Sequence, residues 1–267
     1  MPLGREIRRF YVDVHTSANG KRRAKPHVVF DGEKYVKTAH LAAIPAAEGD
    51  EVYVDVIPST MYDDVSALLG RGVRVFRLRR TDLIAAYRDR LSMSKNDEND
   101  AKTLSTMDGG CFVEVTAEYV GLMKLIDEYH KQLNILKLLK QFEASAEFIN
   151  AVRRRKNRLA RQIISMATKT ISIYTPLCEN LGLSDDCLYG KVALADLLLH
   201  VDFTAKLRNI LCYVGLYKPN KGKYNHRMKQ AIQSLAISHY RKHRVKAREA
   251  RQLLKKIKNY VRAGGPA

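Results

Sequence analysis

The stretch Val52–Leu78, VYVDVIPSTMYDDVSALLGRGVRVFRL, decides the fold class. Its first part, Val52-Tyr53-Val54-Asp55-Val56-Ile57, is β-branched and aromatic, which marks a strand, and Pro58 closes it. Tyr62 to Leu69 reads as a short helix ending at Gly70. Val73-Arg74-Val75-Phe76-Arg77-Leu78 then alternates apolar and basic side chains, the pattern of a half-buried strand. Upstream, Phe10-Tyr11-Val12-Asp13-Val14 is a further strand. His27–Phe30 and Lys34–Lys37 flank Asp31-Gly32, which predicts a hairpin with a type I′ turn. Downstream, Thr81-Asp82 caps a helix through Tyr87. Strand, hairpin, strand, helix, strand, helix predicts an α/β domain built on a mixed sheet with helices packed on it.

From about residue 116 the period changes to that of a helix. Val120, Met123, Ile126, Leu133, Leu136 and Leu139 recur three or four apart, save for a gap around Tyr129. Ile149, Val152, Leu159, Ile163, Met166 and Thr170 continue the spacing in a second long helix, and no proline intervenes before Pro176. Such a pair is either a hairpin stalk with a partner-helix surface or the helical half of a globular core. Short apolar stretches broken by Pro and Gly follow, and then one helix of some thirty residues from Arg227 to Val261. The organisation expected is 1–112 for the sheet domain, 113–175 for a long helical, coiled-coil-like connection, and 176–267 for a small, mostly α C-terminal domain.

The chain carries 47 Lys+Arg against 28 Asp+Glu, a formal charge of +19. General solubility explains part of such an excess, but the basic residues cluster. One run is Arg153-Arg154-Arg155-Lys156-Asn157-Arg158 with Arg161; the other extends from Lys218 to Lys258 and includes Lys221, Lys223, Arg227, Arg241, Lys242, Arg244, Lys246, Arg248 and Arg251. Each phosphate neutralised by such residues releases a counterion, so a polyanion is the natural ligand. No apolar run is long enough to cross a bilayer, and the N-terminus has no apolar signal core, so the expected setting is cytoplasmic. The four cysteines stand far apart with no C-x-x-C pair, which disfavours a zinc site or a disulfide scaffold.

Four carboxylates from three segments stand out. Asp13 and Asp55 each interrupt an apolar strand, where a carboxylate is costly without a cation or donors. Asp97 and Asp100, in Lys95-Asn96-Asp97-Glu98-Asn99-Asp100-Ala101, are three apart and project from one face of a helix. Alternatively, Asp97 caps that helix, Asp100 is an ordinary first-turn acid, and the strand aspartates face solvent. Converging carboxylates would need divalent cations, Mg²⁺ or Mn²⁺, and two such ions can clamp both oxygens of a phosphodiester exchange.

The order strand-Asp, strand-acid, then K-x-D-x-x-D-A before a helix resembles the RuvC-like, RNase H-like domain of the DEDD transposases. These are the insertion-sequence enzymes of the IS one-ten group. Asp13 matches the family's first strand, Asp55 stands where the family has Glu, and Lys95, Asp97, Asp100 and Ala101 match its K-T-D-x-x-D-A signature with Asn96 in place of Thr. Asp202-Phe203-Thr204 and Gly215-Leu216-Tyr217-Lys218-Pro219 are similar to segments of its second domain, and the two long helices to its coiled-coil connection. The resemblance implies a DNA transposase or recombinase of a mobile element, with Asp13, Asp55, Asp97 and Asp100 as catalytic metal ligands. It further implies DNA and a structured guide RNA as partners, a dimer or tetramer, and association with the nucleoid.

Lys95, Arg153, Arg154, Arg155, Arg158, Lys221, Lys223 and Arg227 are the expected nucleic-acid contacts. They would track the backbone and not read bases. The family's attacking serine follows its G-L-x-P turn; here Lys218–Tyr224 holds no serine, which leaves the nucleophile unassigned. Tyr224, Ser234 and Ser238 are the nearest hydroxyls. Two other readings follow: a DNA- or RNA-binding protein from a decayed element, and a RuvC-like junction nuclease using water.

Overall fold

The computed structural model describes residues 6–15, 25–217 and 224–264. Two compact units divide at Val120 and Gly121, some way past the expected boundary at residue 112. In the first, strands β1 (Arg9–Asp13), β2 (His27–Phe30), β3 (Tyr35–Thr38), β4 (Glu51–Val54), β5 (Arg74–Leu78) and β6 (Phe112–Val115) form one sheet in the order β3-β2-β1-β4-β5-β6. β1, β4 and β5 are parallel neighbours; β2 and β6 run antiparallel to β1 and β5. The mixed sheet with helices packed on it is as expected.

The parallel register aligns Tyr11 with Tyr53 and Tyr53 with Phe76. Their rings stack at 5.1 and 4.8 Å between centroids across three strands. Helices α2 (Asp82–Arg90) and α3 (Asp97–Ser105) cover this face, with Ile84 and Leu104 packed among Leu78, Met107 and Phe112 against the three rings. Strand alternation sends Phe10, Val12, Val52, Val54 and Val75 to the opposite face, where all are buried. Helix α1 (Tyr62–Gly70), linking β4 to β5, buries Tyr62, Val65 and Leu68.

Several local expectations change. β4 stops at Val54, so Asp55 is the first residue beyond the strand, and Asp13 is the last residue of β1 and not its middle. The hairpin connection has four residues, 31–34, and is not a type I′ turn: only Gly32 has positive φ (102°), and Asp31 Oδ1 accepts from the Glu33 and Lys34 amides at 3.0 and 2.9 Å. β6 is an addition to the expected strands; it lies on the edge of the sheet, where pairing demands little of the sequence.

In the second unit, α4 (Ala117–Gln141) and α5 (Ala146–Thr170) form an antiparallel pair, with Gly121 beside Met166 and Arg155 Nη2 2.9 Å from Glu128 Oε1. Tyr129 fills the gap in the apolar spacing of α4 and is buried. The pair is part core and part projection: Met123, Ile126, Leu136, Leu159 and Ile163 are buried, while Ile135, Leu138, Phe142 and Phe148 near the bend are exposed.

Helices α6 (Tyr174–Asn180), α7 (Leu188–His200), α8 (Leu207–Tyr213), α9 (His226–Tyr240) and α10 (Ala247–Arg262) complete the unit. α7 is central and apolar nearly all round. It approaches α9 so closely that a Cβ on Gly190 would lie 2.4 Å from the Cβ of Ser238. The expected single terminal helix is two. Arg241 adopts a left-handed conformation (φ 51°) and ends α9, and α10 starts where Glu249 Oε2 accepts from the Lys246 amide at 2.8 Å. No Gly or Pro marks this break; five Lys and Arg residues in 241–248 with no acid among them disfavour a continuous helix by like-charge repulsion.

One polar cluster holds this unit together from inside. Asp196 on α7, 1% exposed, accepts from Arg227 Nε and Nη2 at 3.1 and 2.8 Å, and lies 2.8 Å from His130 Nε2 and 3.0 Å from His200 Nδ1. Arg227 also pairs with Asp127 at 2.6 Å. Burial pushes the Asp196 carboxyl up, and the hydrogen bonds and charges around it more than reverse this, holding it well below the usual carboxylate range. Arg227→Met leaves that carboxylate buried with its principal cation gone. It is expected to lower unfolding stability at pH 7 by about 3–5 kcal/mol. Because the folded pKa is depressed, the contribution is complete above the unfolded value of about 4 and fades as pH falls below it. Urea titrations of both proteins from pH 7 to pH 2.5 check this: the gap should narrow only at the acid end.

Candidate metal centre

Asp13 and Asp55 lie at the C-terminal ends of the adjacent parallel strands β1 and β4, and Asp97 and Asp100 in the first turn of α3. Asp13 is two residues beyond Tyr11 and therefore on the same face of the sheet, under α3. Ala101 brings α3 close: it is fully buried against Val28, Phe30 and Tyr11. The turn before it then carries Asp97 over Asp13. Asn96 caps α3, its side chain accepting from the Asn99 amide at 2.7 Å, so Asp97 is released from the capping role the sequence left open to it.

Ligand atoms of Asp13, His15 and Asp97 all lie within 4.8 Å of one another. His15 Nε2 stands 3.5 Å from Asp13 Oδ2 and 3.4 Å from Asp97 Oδ2. It is shielded from solvent, yet in hydrogen-bonding geometry with no described residue. Lys25 pairs with Asp97, whose carboxyl is lowered chiefly by that bond.

The other two expected ligands are nearby but engaged. Asp55 Oδ1 accepts from the Val14 amide at 3.0 Å, and Asp100 pairs with Arg88, a largely buried residue of α2. The structure therefore brings Asp13 and Asp97 together with His15, holds Asp55 against the main chain beside Asp13, and turns Asp100 toward Arg88. Burial pushes Asp13 up to about 6; His15 opposes the rise, and the negative charges of Asp100 and Asp97 add to it. Burial likewise pushes Asp55 up to about 7, against the Val14 amide, with Asp13 adding to the rise. Carboxylates crowded and desolvated in this way lack positive charge. The donor set, two carboxylates and an orphaned imidazole nitrogen, fits a divalent cation.

Lys95 is exposed two residues before α3. Arg153, Arg154, Arg155 and Arg158 are exposed on α5, Arg155 being held by Glu128. Arg227, partly exposed, serves the Asp196 cluster. Lys221 and Lys223 lie outside the described residues. His15, Lys25 and Arg88 are additions to the expected site. His15 has a readable signal, because it follows Asp13 by two and strand alternation aims both to one side; Lys25 and Arg88 have none, since only the fold brings them near. Ser238 packs against Gly190, and the Tyr224 ring packs against Gly215, with its hydroxyl 3.3 Å from Lys229 Nζ.

The sequence matches no protein-family model and no curated protein.

The raised Asp13 value has a consequence for stability. A carboxyl whose folded pKa exceeds its unfolded one stabilises the fold when protonated, and that contribution is lost as pH rises through the folded value. Asp13→Asn is therefore expected to stabilise the metal-free protein at pH 7.5 by about 1–3 kcal/mol. The gain should vanish below about pH 4. Denaturant melts in EDTA at the two pH values decide the matter; a loss of stability at pH 7.5 would mean that Asp13 is compensated in the fold.

Proposed function

We propose that this chain is a DNA transposase or recombinase of a mobile element, with an RNase H-like, RuvC-like domain that cuts and exchanges phosphodiesters with Mg²⁺ or Mn²⁺. The observation that carries the reading is the convergence of Asp13, Asp97 and His15 at the ends of β1 and α3, with Asp55 and Asp100 beside them. Two of the four acids for which the sequence resembles the DEDD transposases, Asp13 and Asp97, come together, with Asp55 and Asp100 engaged beside them.

A divalent cation held there would supply electrostatic stabilisation to the oxygens of a phosphodiester under attack. The chain's own residues do the rest. Asp13 and Asp97 bind the cation, and Asp55 fixes the main chain from which Asp13 and His15 project. Arg153, Arg154 and Arg158 neutralise backbone phosphates, as do Arg244, Arg248 and Lys255 around α10, and so orient the duplex without reading it. The exposed apolar residues near the α4–α5 bend support an oligomer, and DNA with a structured guide RNA are the partners the resemblance suggests.

A second reading is favoured by one observation. Ser238 packs against Gly190 and the Tyr224 ring against Gly215, so two of the three candidate hydroxyls are engaged in the fold, while Ser234 is exposed on α9. That favours a junction nuclease in which water attacks.

Two measurements test the proposal. Cleavage of branched and nicked DNA should require Mg²⁺ or Mn²⁺ and fall at least about a thousandfold in Asp13→Asn with DNA binding retained, a drop of about 4 kcal/mol in transition-state stabilisation. Unimpaired cleavage in Asp13→Asn would sink it, and a covalent protein–DNA adduct would separate recombinase from nuclease. Replacing Arg153, Arg154 and Arg155 by alanine should flatten the slope of log K against log salt by about 0.9 for each phosphate no longer neutralised.

A further inference from the structure

We propose that His15 is a metal ligand of the Asp13–Asp97 centre, and that its imidazole turns the site toward Mn²⁺ over Mg²⁺. The inference rests on the reading of that centre as a cation site and assigns it a residue that the resemblance to the DEDD transposases does not supply.

The argument begins with the main chain. β1 ends at Asp13, yet the next two residues are not loose. The Val14 amide donates to Asp55 Oδ1 at 3.0 Å, and the His15 amide donates to His27 Nδ1 at 3.1 Å. His27 is itself only 2% exposed, so the anchor is part of the core. Two successive amides past the strand end are thus pinned by side chains from β2 and from the end of β4. The His15 ring lies on the side that Asp13 occupies, its Nε2 within 3.5 Å of Asp13 Oδ2.

The ring arrives with Nε2 between two carboxylates, 3.5 Å from one and 3.4 Å from the other, and hydrogen-bonded to neither. An Nε2 presenting a lone pair there would be repelled by both; Lys25 already pairs with Asp97, and a divalent cation among the three groups would displace it and convert the repulsion into coordination. Mg²⁺ prefers oxygen ligands and holds its water, whereas an imidazole with two carboxylates suits a softer divalent ion. Mn²⁺ accepts both donor types. The competing arrangement is a protonated His15 acting as a counter-charge to the two aspartates, which would expel a metal from this position.

The full-length protein, stripped with EDTA, is titrated calorimetrically with MnCl₂ and with MgCl₂, and the Mn²⁺ form is examined by pulsed EPR for coupling to ¹⁴N. Expected are Mn²⁺ binding at least about tenfold tighter than Mg²⁺, and a nitrogen coupling that disappears in His15→Ala. In that variant Mn²⁺ affinity should fall by about tenfold or more while Mg²⁺ affinity changes much less. His15→Gln, with a thermal melt, controls for folding and should also lose the coupling. Mn²⁺ bound without nitrogen coupling, but lost in Asp13→Asn, would overturn the role of His15 and leave the centre standing. A coupling that persists in His15→Ala would assign the nitrogen to another histidine and overturn it too. No binding of either ion, or binding indifferent to Asp13→Asn, would bring down the centre itself.

Discussion

The first unit depends on the register that stacks Tyr11, Tyr53 and Phe76 across β1, β4 and β5. Stacked aromatic pairs contribute about 0.5–1.5 kcal/mol each beyond their burial, but their larger effect here is geometric. Side chains alternate with period two, so a slip of one residue would exchange the faces of a strand. In β1 such a slip would drive Asp13 into the layer now held by Phe10 and Val12, and lift those two residues under α3. The ladder thus decides at once which residues form the core and where the carboxylate emerges. Ala101 adds the second constraint: a larger side chain there would hold α3 off the sheet and carry Asp97 away from Asp13.

The two units treat the same kind of side chain in opposite ways. Asp196 is more deeply buried than Asp13, yet its carboxyl is held low, because Arg227, His130 and His200 surround it with donors and positive charge. Asp13 and Asp55 are raised, because burial and neighbouring carboxylates outweigh the compensation they receive. A finished network locks helices together. An unfinished one, at the end of parallel strands, is where a ligand bearing positive charge is stabilised most. Arg88 and Lys25 show that the first unit does have cations near its acids, but they reach Asp100 and Asp97 and not the pair at the strand ends.

Local pattern carries the strands and helices that have strong patterns of their own. β1, β4, β5 and the long α4 and α5 are legible because apolar spacing over several residues admits one reading. β6 is not, because a four-residue edge strand buries little and its partner lies some 35 residues away in sequence. The break between α9 and α10 is hidden because it is made by charge repulsion and a left-handed arginine, without Gly or Pro. Within the site, the two aspartates between Asn96 and Ala101 stand out by spacing. The diversion of Asp100 to Arg88 depends on how α2 packs beside α3, and no local pattern records that.

The basic excess divides in the same physical way. Lys258 is buried and donates to the Phe203 carbonyl at 2.8 Å, Lys156 is buried over the Tyr189 ring, and Arg227 is bound within the Asp196 cluster. These cations stabilise the fold. What remains is an exposed set on α5, and another around α10 whose opposite face buries Ala250, Leu253, Leu254 and Ile257. Rigid helices so anchored present charge at fixed spacing, which suits a phosphate backbone more than a folded acidic protein of irregular charge. Phosphate contacts set register and carry no sequence information. Under the function proposed above, a chain that engaged DNA mainly through such faces would have to take its choice of site from elsewhere, from base contacts outside the two faces or from a paired nucleic-acid strand.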